Sequence, residues 1–77
     1  MSSVLYIGGM KNRVRELREA KGLTQKELGQ ALRRPVSRQT INSLEKGVYD
    51  PGGYLLLDIA HFFQTPAEEI FDASLDD

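Results

Sequence analysis

Signals that start and stop helices recur at short intervals along this chain, and they restrict its fold more than any other feature. Thr24 is followed three residues later by Glu27, which is the capping-box pattern of a helix N-terminus. Ser37 is a second good N-cap residue, and Gly22 and Gly47 stand where helices are expected to end. Because the segments between these signals are short, the sequence predicts a bundle of short helices.

Apolar residues recur every three or four positions within these segments, which is the period of an amphipathic helix. The predicted helices are Met10–Lys21, a second helix capped by Thr24 that ends near Leu32, Arg38–Lys46, Tyr54–Phe63 and Pro66–Phe71. The predicted fold is therefore an all-α, five-helix domain over residues 10–71. An extension at residues 1–9 precedes it, and an acidic tail at residues 72–77 follows it.

Three details of the sequence pattern lead to further predictions about the helices. Gly29 lies inside the second predicted helix, where glycine costs about 1 kcal/mol relative to alanine, so we expect another helix to approach closely there. Thr65 and Glu68 form a second capping-box pattern. Apolar residues cover more than half of the fourth predicted helix, which predicts burial on more than one side and leaves Asp58 and His61 on its polar side.

The extension contains one short apolar run, Val4–Ile7, between serine and glycine pairs. This run predicts either a strand or an unstructured leader. It is too short to span a membrane, and the N-terminus lacks the pattern of a secretory signal. With a chain length of 77 residues, the sequence predicts one small cytoplasmic domain.

Charge is divided unevenly along the chain, although the formal net charge is only −1. Residues 1–49 contain ten basic and four acidic side chains, a formal charge of +6. Residues 50–77 contain no basic and seven acidic side chains, a formal charge of −7. This division predicts a basic binding surface beside an acidic segment.

The residue types that enzymes and metal sites need are scarce in this chain. It contains no cysteine, which excludes disulfides, thiolate metal sites and a cysteine nucleophile. It contains one histidine, His61, which we interpret as a surface residue, and no glycine-rich phosphate loop. The sequence therefore predicts no catalytic residues, no metal and no cofactor.

The third predicted helix divides into two faces when it is placed on a helical wheel. One arc consists of Arg38, Gln39, Asn42, Ser43 and Lys46. The opposite arc consists of Thr40, Ile41 and Leu44. Guanidinium and amide groups are the ones that read base edges in the major groove, which admits an α-helix. Because an ordinary solvated face is usually rich in glutamate and this arc contains no acid, the pattern favours DNA binding.

Several separated stretches agree in order and spacing with one known family. They are Lys11–Leu28, Val36–Ile41, Leu44–Gly47, Tyr49–Pro51 and Glu68–Phe71. On these stretches the chain resembles the lambda-repressor/Cro-like, or XRE-type, helix-turn-helix family. The resemblance implies a sequence-specific transcriptional regulator, a repressor, that binds double-stranded DNA as a homodimer with its third helix in the major groove.

The same resemblance implies roles for individual residues. Base-contacting positions are matched by Ser37, Arg38, Gln39 and Ser43, with Asn42 close by. Phosphate-contacting positions are matched by Gln25, Thr40 and Lys46. Gln25 is also implied to brace the third helix. Glu45 is implied to pair with an arginine of the first helix rather than to contact DNA.

One departure from the family concerns the turn between the second and third helices, which is two residues longer than is usual. Its sequence is Arg33-Arg34-Pro35-Val36, and Arg33 and Arg34 are candidates for additional phosphate contacts. Leu56 and Phe62 stand where relatives often have smaller residues. They fill either a larger core or a dimer seam.

Two questions stay open at the level of sequence. The dimer interface is formed either by the fourth and fifth helices or by pairing of Val4–Ile7 strands from two chains. A second class of function is that of an antitoxin, or another protein-interaction module, whose acidic segment at residues 50–77 meets a basic toxin.

Overall fold

The computed structural model describes residues 12–47 and 53–71, and every regular element within them is an α-helix. The helices are α1 (Val14–Ala20), α2 (Gln25–Ala31), α3 (Arg38–Glu45), α4 (Gly53–Phe63) and α5 (Ala67–Ile70). The prediction of an all-α, five-helix domain is confirmed. The Val4–Ile7 run, the acidic tail and the loop around residue 50 lie outside the described residues.

Every helix contributes at least one apolar side chain to the core. The side chains with no exposed surface are Val14, Leu28, Ile41, Leu44, Ile59 and Ile70. Burial of each aliphatic side chain contributes about 1.5–3 kcal/mol. Since helices of only 4 to 11 residues are marginal in isolation, this shared core holds them in place. Leu56 and Phe62 are partly buried against it.

The ends of α1, α2 and α3 confirm the predicted caps and stops. The Thr24 hydroxyl accepts a hydrogen bond from the backbone N–H of Glu27 at 3.0 Å, and the Glu27 side chain accepts from the Thr24 N–H at 2.8 Å. The Ser37 hydroxyl accepts from the backbone N–H three residues on at 3.1 Å. Gly22 and Gly47 have φ values of 70° and 76°, a conformation that costs other residues about 1–2 kcal/mol.

The predicted start of the first helix at Met10 is wrong, because α1 begins at Val14. The side chain of Asn12 accounts for the difference. Its Oδ1 accepts a hydrogen bond from the backbone N–H of Val14 at 3.0 Å, and its Nδ2 donates to the carbonyl oxygen of Leu44 at 2.8 Å. This residue therefore joins the start of α1 to the end of α3 rather than continuing the helix.

The second predicted capping box, at Thr65, is also wrong. The Thr65 hydroxyl donates to the carbonyl oxygen of Phe63 at 3.0 Å, and no side chain caps α5. Pro66 has an extended ψ of 140°, so it precedes α5 instead of occupying its first turn. The predicted closure of the core by Ile70 and Phe71 is confirmed, since both are buried.

The sequence predicts that another helix approaches Gly29 closely. In the structure the close approach is made by the backbone of the turn between α2 and α3 instead. A β-carbon at Gly29 would overlap the carbonyl oxygen of Val36, which lies in the turn between α2 and α3. The backbone N–H of Val36 also donates to the carbonyl oxygen of Gly29 at 3.0 Å. The nearest atom of a helix, Cγ1 of Ile41, would be 3.5 Å from that β-carbon. This glycine therefore lets the turn lie directly against α2.

Gln64 ends α4 in the left-handed conformation, with φ 52°. We expect Gln64→Gly to raise the free energy of unfolding by about 1 kcal/mol, because glycine adopts this conformation without a steric cost. Urea unfolding followed by circular dichroism measures the change. Gln30→Gly is the matched control on the exposed side of α2, where glycine is expected to lower the same free energy by about 1 kcal/mol. A lower free energy of unfolding in Gln64→Gly would contradict the left-handed conformation of residue 64.

Candidate nucleic-acid interface

Helix α3 is held by its N-cap and by its buried side. Ser37 caps the first turn, and Gly47 ends the helix. Ile41 and Leu44 have no exposed surface, so one side of α3 lies in the core. The opposite side faces solvent, as the wheel predicted.

The outer face of α3, which we define as Arg38, Gln39, Asn42, Ser43 and Lys46, contains no acid. Arg38, Gln39 and Lys46 are exposed, and Asn42 and Ser43 are half-buried. The one acid of α3 is Glu45, whose side chain is only 4% exposed. The structure thus brings the five predicted residues together on a surface with cationic and amide groups.

Glu45 is buried against an arginine of α1, which confirms the pairing that the family resemblance implied. Arg18 Nε donates to Glu45 Oε2 at 2.6 Å, and Arg18 Nη2 donates to Oε1 at 3.2 Å. The hydrogen bond from Arg18 to the Glu45 carboxylate raises the pKa of Arg18, partial burial opposes it, and the charges of Glu45 and Glu19 add to the rise. Arg18 Nη1 also donates to the carbonyl oxygen of Leu23 at 2.7 Å. This arginine therefore ties α1 to α3 and to the turn before α2.

Gln25, the first residue of α2, reaches the same carboxylate. Its Nε2 donates to Glu45 Oε1 at 3.1 Å and to Asn42 Oδ1 at 3.2 Å. The implied bracing of α3 by Gln25 is therefore present in the structure. Its implied phosphate contact stays a prediction, and a contact through Nε2 would compete with these two hydrogen bonds.

A polar cleft of about 400 Å³ lies where α1, α2 and α3 meet beside the outer face. Its lining is Arg15, Arg18, Gln25, Asn42, Glu45 and Lys46. The side chains of Arg15 and Glu19 are 72% and 55% exposed and form an ion pair at 3.1 Å. Three cationic side chains thus surround the buried carboxylate on the side of the molecule that carries the outer face.

The long turn between α2 and α3 is fastened to α4 by an arginine. Arg34 Nη1 donates to both carboxylate oxygens of Asp58, at 3.0 and 3.1 Å, and its guanidinium carbon lies 4.3 Å from the centre of the Tyr54 ring. The expectation that Asp58 lies on a polar side of the helix is wrong, because its side chain is only 7% exposed. An acid within an otherwise apolar helix, together with two arginines in a lengthened turn, was the sequence signal for this pair. Arg33 is exposed in the same turn.

Ser37 and Thr40 use their hydroxyl groups within the cap. The two oxygens are 3.0 Å apart, and Ser37 Oγ accepts from the Thr40 backbone N–H. Ser37 is nevertheless exposed at the beginning of the outer face, and Thr40 is half-buried beside it. Their predicted contacts with a base and with a phosphate stay predictions.

Among residues 12–47 and 53–71, no three His, Cys, Asp or Glu side chains form a group that could hold a metal ion. None of the helices in that part of the chain is long and apolar enough to cross a membrane. His61 is exposed on α4, as predicted.

Comparisons with known proteins agree with this arrangement. A helix-turn-helix family model matches residues 14–70, which span all five helices. The chain is 47% identical over 62 residues to an uncharacterized HTH-type transcriptional regulator of Methanocaldococcus jannaschii, covering 80% of this chain and 91% of that protein. It is 42% identical over 62 residues to the uncharacterized HTH-type transcriptional regulator YgzD of Bacillus subtilis, with the same coverage.

A third relative is an uncharacterized HTH-type transcriptional regulator of Archaeoglobus fulgidus, 42% identical over 62 residues, which cover 80% of this chain and 86% of that protein. The relatives are thus spread over bacteria and archaea, and the match covers nearly the whole length of each one. The helix order, the exposed α3 and the extent of these matches lead to one assignment. This chain belongs to the Cro/C1-type, or XRE, helix-turn-helix family of DNA-binding transcriptional regulators.

Proposed function

We propose that this protein binds specific operator sequences by placing the outer face of α3 in the major groove. The observation that supports this most is the absence of exposed acid on that face, since the single acid of α3 is buried against Arg18. A rigid helix with cationic and amide side chains has the groups that read base edges. Because the regulator acts on DNA, we expect it in the cytoplasm.

The proposed contacts fall into two classes. Base contacts come from Ser37, Arg38, Gln39, Asn42 and Ser43. Phosphate contacts come from Arg33, Arg34, Thr40 and Lys46. Gln25 is the fifth candidate, and its Nε2 reaches a phosphate only by releasing Glu45 or Asn42. Phosphate contacts set the position of the protein on the duplex, and base contacts set its sequence preference. Arg34 reaches a phosphate only with the part of its guanidinium that Asp58 does not hold, and its side chain is 53% exposed.

We expect Arg38→Ala and Lys46→Ala to affect binding in different ways. Arg38→Ala should reduce discrimination between the operator and altered sites by about 1–3 kcal/mol, because a guanidinium that reads guanine is lost. Lys46→Ala should weaken binding to all sequences alike and lower the slope of log affinity against log salt by about 1. Binding titrations on selected and scrambled duplexes at several salt concentrations measure both effects.

Lys21→Ala is the charge-matched control for these titrations. Lys21 follows α1 and its Nζ lies 5.8 Å from the centre of the Phe62 ring, so its removal should leave the sequence preference unchanged. If Arg38→Ala and Lys46→Ala both bind as tightly and as selectively as the parent protein at physiological salt, α3 is not the recognition helix.

We propose further that the protein binds as a homodimer and represses by occupying the operator. One recognition helix reads only a few base pairs, and two domains related by a two-fold axis read half-sites about one helical turn apart. Among the described residues, the exposed large apolar side chains are Tyr54 and Leu57, which are 69% and 60% exposed. They lie three residues apart on α4, so they share one side of the helix and supply the proposed dimer surface.

Leu57→Glu tests this surface. We expect the variant to raise the dissociation constant of the dimer at least about tenfold, because a charge replaces an apolar contact. Sedimentation equilibrium over a range of concentrations measures the constant. Gln30→Glu adds the same charge on the exposed side of α2 and should leave dimerisation unchanged. An unchanged dimer in Leu57→Glu would place the interface elsewhere, on α5 or at Val4–Ile7.

The antitoxin role is the second candidate function. Glu68 and Glu69 are exposed on α5, and residues 50–77 contain no basic side chain, so this segment suits a basic protein partner. The test is co-expression with each small basic protein that is encoded beside this chain. Growth arrest by the neighbour alone, relieved by this chain in a stable complex, would support the role. A neighbour without toxicity would leave the regulator as the sole proposal.

A further inference from the structure

A chain of hydrogen bonds joins α1 to the outer face of α3. It consists of Arg18, Glu45, Gln25 and Asn42, and each side chain determines which atom of the next one faces it. The Glu45 carboxylate accepts two hydrogen bonds from Arg18, at 2.6 and 3.2 Å. A carboxylate only accepts hydrogen bonds. The end of the Gln25 amide that lies 3.1 Å from Glu45 Oε1 must therefore be its nitrogen.

The orientation of Gln25 then determines the orientation of Asn42. The two N–H groups of Gln25 Nε2 donate to Glu45 Oε1 and to Asn42 Oδ1. An amide nitrogen has no acceptor, so the end of Asn42 that faces Gln25 must be Oδ1. Asn42 Nδ2 has no hydrogen-bond partner among the described residues, and it is the end of the amide that is left for DNA.

An asparagine that is free to turn pairs with adenine through both ends of its amide, donating to N7 and accepting from N6. Asn42 has its oxygen turned toward α2. Its Nδ2 can donate to O6 and N7 of guanine, which presents two acceptors, but cytosine presents only the N4 donor at this edge. The network thus favours guanine over cytosine at the base that Asn42 reaches.

We propose that Gln25 is a positioning residue that makes Asn42 a hydrogen-bond donor toward DNA and so disfavours cytosine, whose major-groove edge presents only a donor, at one operator position. This inference rests on the proposed function, because it requires that α3 reads bases. It adds that a residue of α2 decides which base is read by a residue of α3.

The experiment is selection of bound sites from random duplex DNA with the full chain and its variants, at fixed salt. Asn42→Ala first identifies the operator position that Asn42 reads, because the preference there should be lost. At that position we expect the parent protein to prefer guanine to cytosine by about tenfold. Gln25→Met, which cannot donate, should reduce this ratio to less than about threefold.

Gln25→Glu provides a result that general destabilisation would not give. A glutamate at residue 25 only accepts, so it loses its hydrogen bond to the Glu45 carboxylate, which repels it. Its remaining neighbour, Asn42, should turn its Nδ2 toward α2 and present Oδ1 to the base. We expect the preference to reverse toward cytosine or adenine at that one position, whereas the ratios at the other positions stay within about twofold. Gln30→Glu, on the exposed side of the same helix, should leave every ratio unchanged.

The outcomes separate this inference from the proposed function. If the parent protein selects a defined operator and both Gln25 variants change only overall affinity, the positioning role is wrong and the regulator stands. An operator in which Asn42→Ala alters no position would refute the inference and remove Asn42 from the base contacts, while the regulator and the other contacts stand. If the parent protein selects no sequence at all, the proposed function fails and the inference fails with it.

Discussion

Replacement of Arg18 by alanine is expected to lower the free energy of unfolding by about 3 kcal/mol. The side chains of Arg18 and Glu45 are only 12% and 4% exposed, so removal of the guanidinium leaves a buried carboxylate without its partner. The substitution should also disturb the outer face of α3, because Gln25 and Asn42 take their orientation from that carboxylate. We therefore expect weaker DNA binding together with lower stability.

Urea unfolding followed by circular dichroism measures the loss, and Arg15→Ala is its matched control. Arg15 is on the same helix and also pairs with a glutamate, but its side chain is 72% exposed, so its pair should contribute less than about 0.5 kcal/mol. Equal losses in the two variants would show that burial does not strengthen the Arg18 pair.

The pH dependence of this contribution follows from the direction of the pKa shift. The pKa of Arg18 is raised in the folded protein, mainly by its hydrogen bond to Glu45. A raised pKa contributes stability that is fully present below the unfolded value, which is already strongly alkaline for arginine, and that is lost only as the pH rises through the folded value. Titration of Arg18 should therefore leave stability unchanged between neutral and mildly alkaline pH.

Features that depend on a few neighbouring residues could be predicted from the sequence. The capping box at Thr24, the cap at Ser37 and the left-handed stop at Gly47 each involve groups within a few positions along the chain. The two faces of α3 follow from helical periodicity in the same way. These local rules were sufficient for the all-α fold and for the location of the outer face.

Features that depend on distant partners could not be predicted from such rules. The first helix starts at Val14 rather than at Met10, and at this start Asn12 accepts from the Val14 N–H and donates to Leu44, 32 residues away. Asp58 is buried because Arg34, 24 residues earlier, reaches it from the lengthened turn. A helical wheel places a charged residue on the polar side, since it contains no information about a partner elsewhere in the chain.

The candidate site depends both on local sequence rules and on contacts between distant residues. Periodicity was sufficient to group the residues of the outer face, and the resemblance supplied the roles of Gln25 and Glu45. The polarity of Asn42 required the structure, because it depends on a chain of contacts from Arg18 through Glu45 and Gln25. Two of these four residues, Arg18 and Glu45, have little contact with solvent and still affect what the surface offers to DNA.

Gly29→Ala is expected to destabilise the protein, although alanine is the better helix former. Helix propensity alone predicts a gain of about 1 kcal/mol. The added methyl group would overlap the carbonyl oxygen of Val36, which is backbone and cannot rotate away as a side chain can. Overpacking of this kind costs about 3 kcal/mol, so we expect a net loss of about 2 kcal/mol in the free energy of unfolding.

Gly53→Ala is the control for this substitution, since a β-carbon at Gly53 in the first turn of α4 would meet no atom within 4 Å. We expect a gain of up to about 1 kcal/mol there. Gly29→Ala should also weaken operator binding, because Val36 immediately precedes the cap of α3 and any displacement of the turn moves the outer face. If Gly29→Ala were as stable as the parent protein and bound DNA as tightly, the close approach of the turn to α2 would not be what places α3.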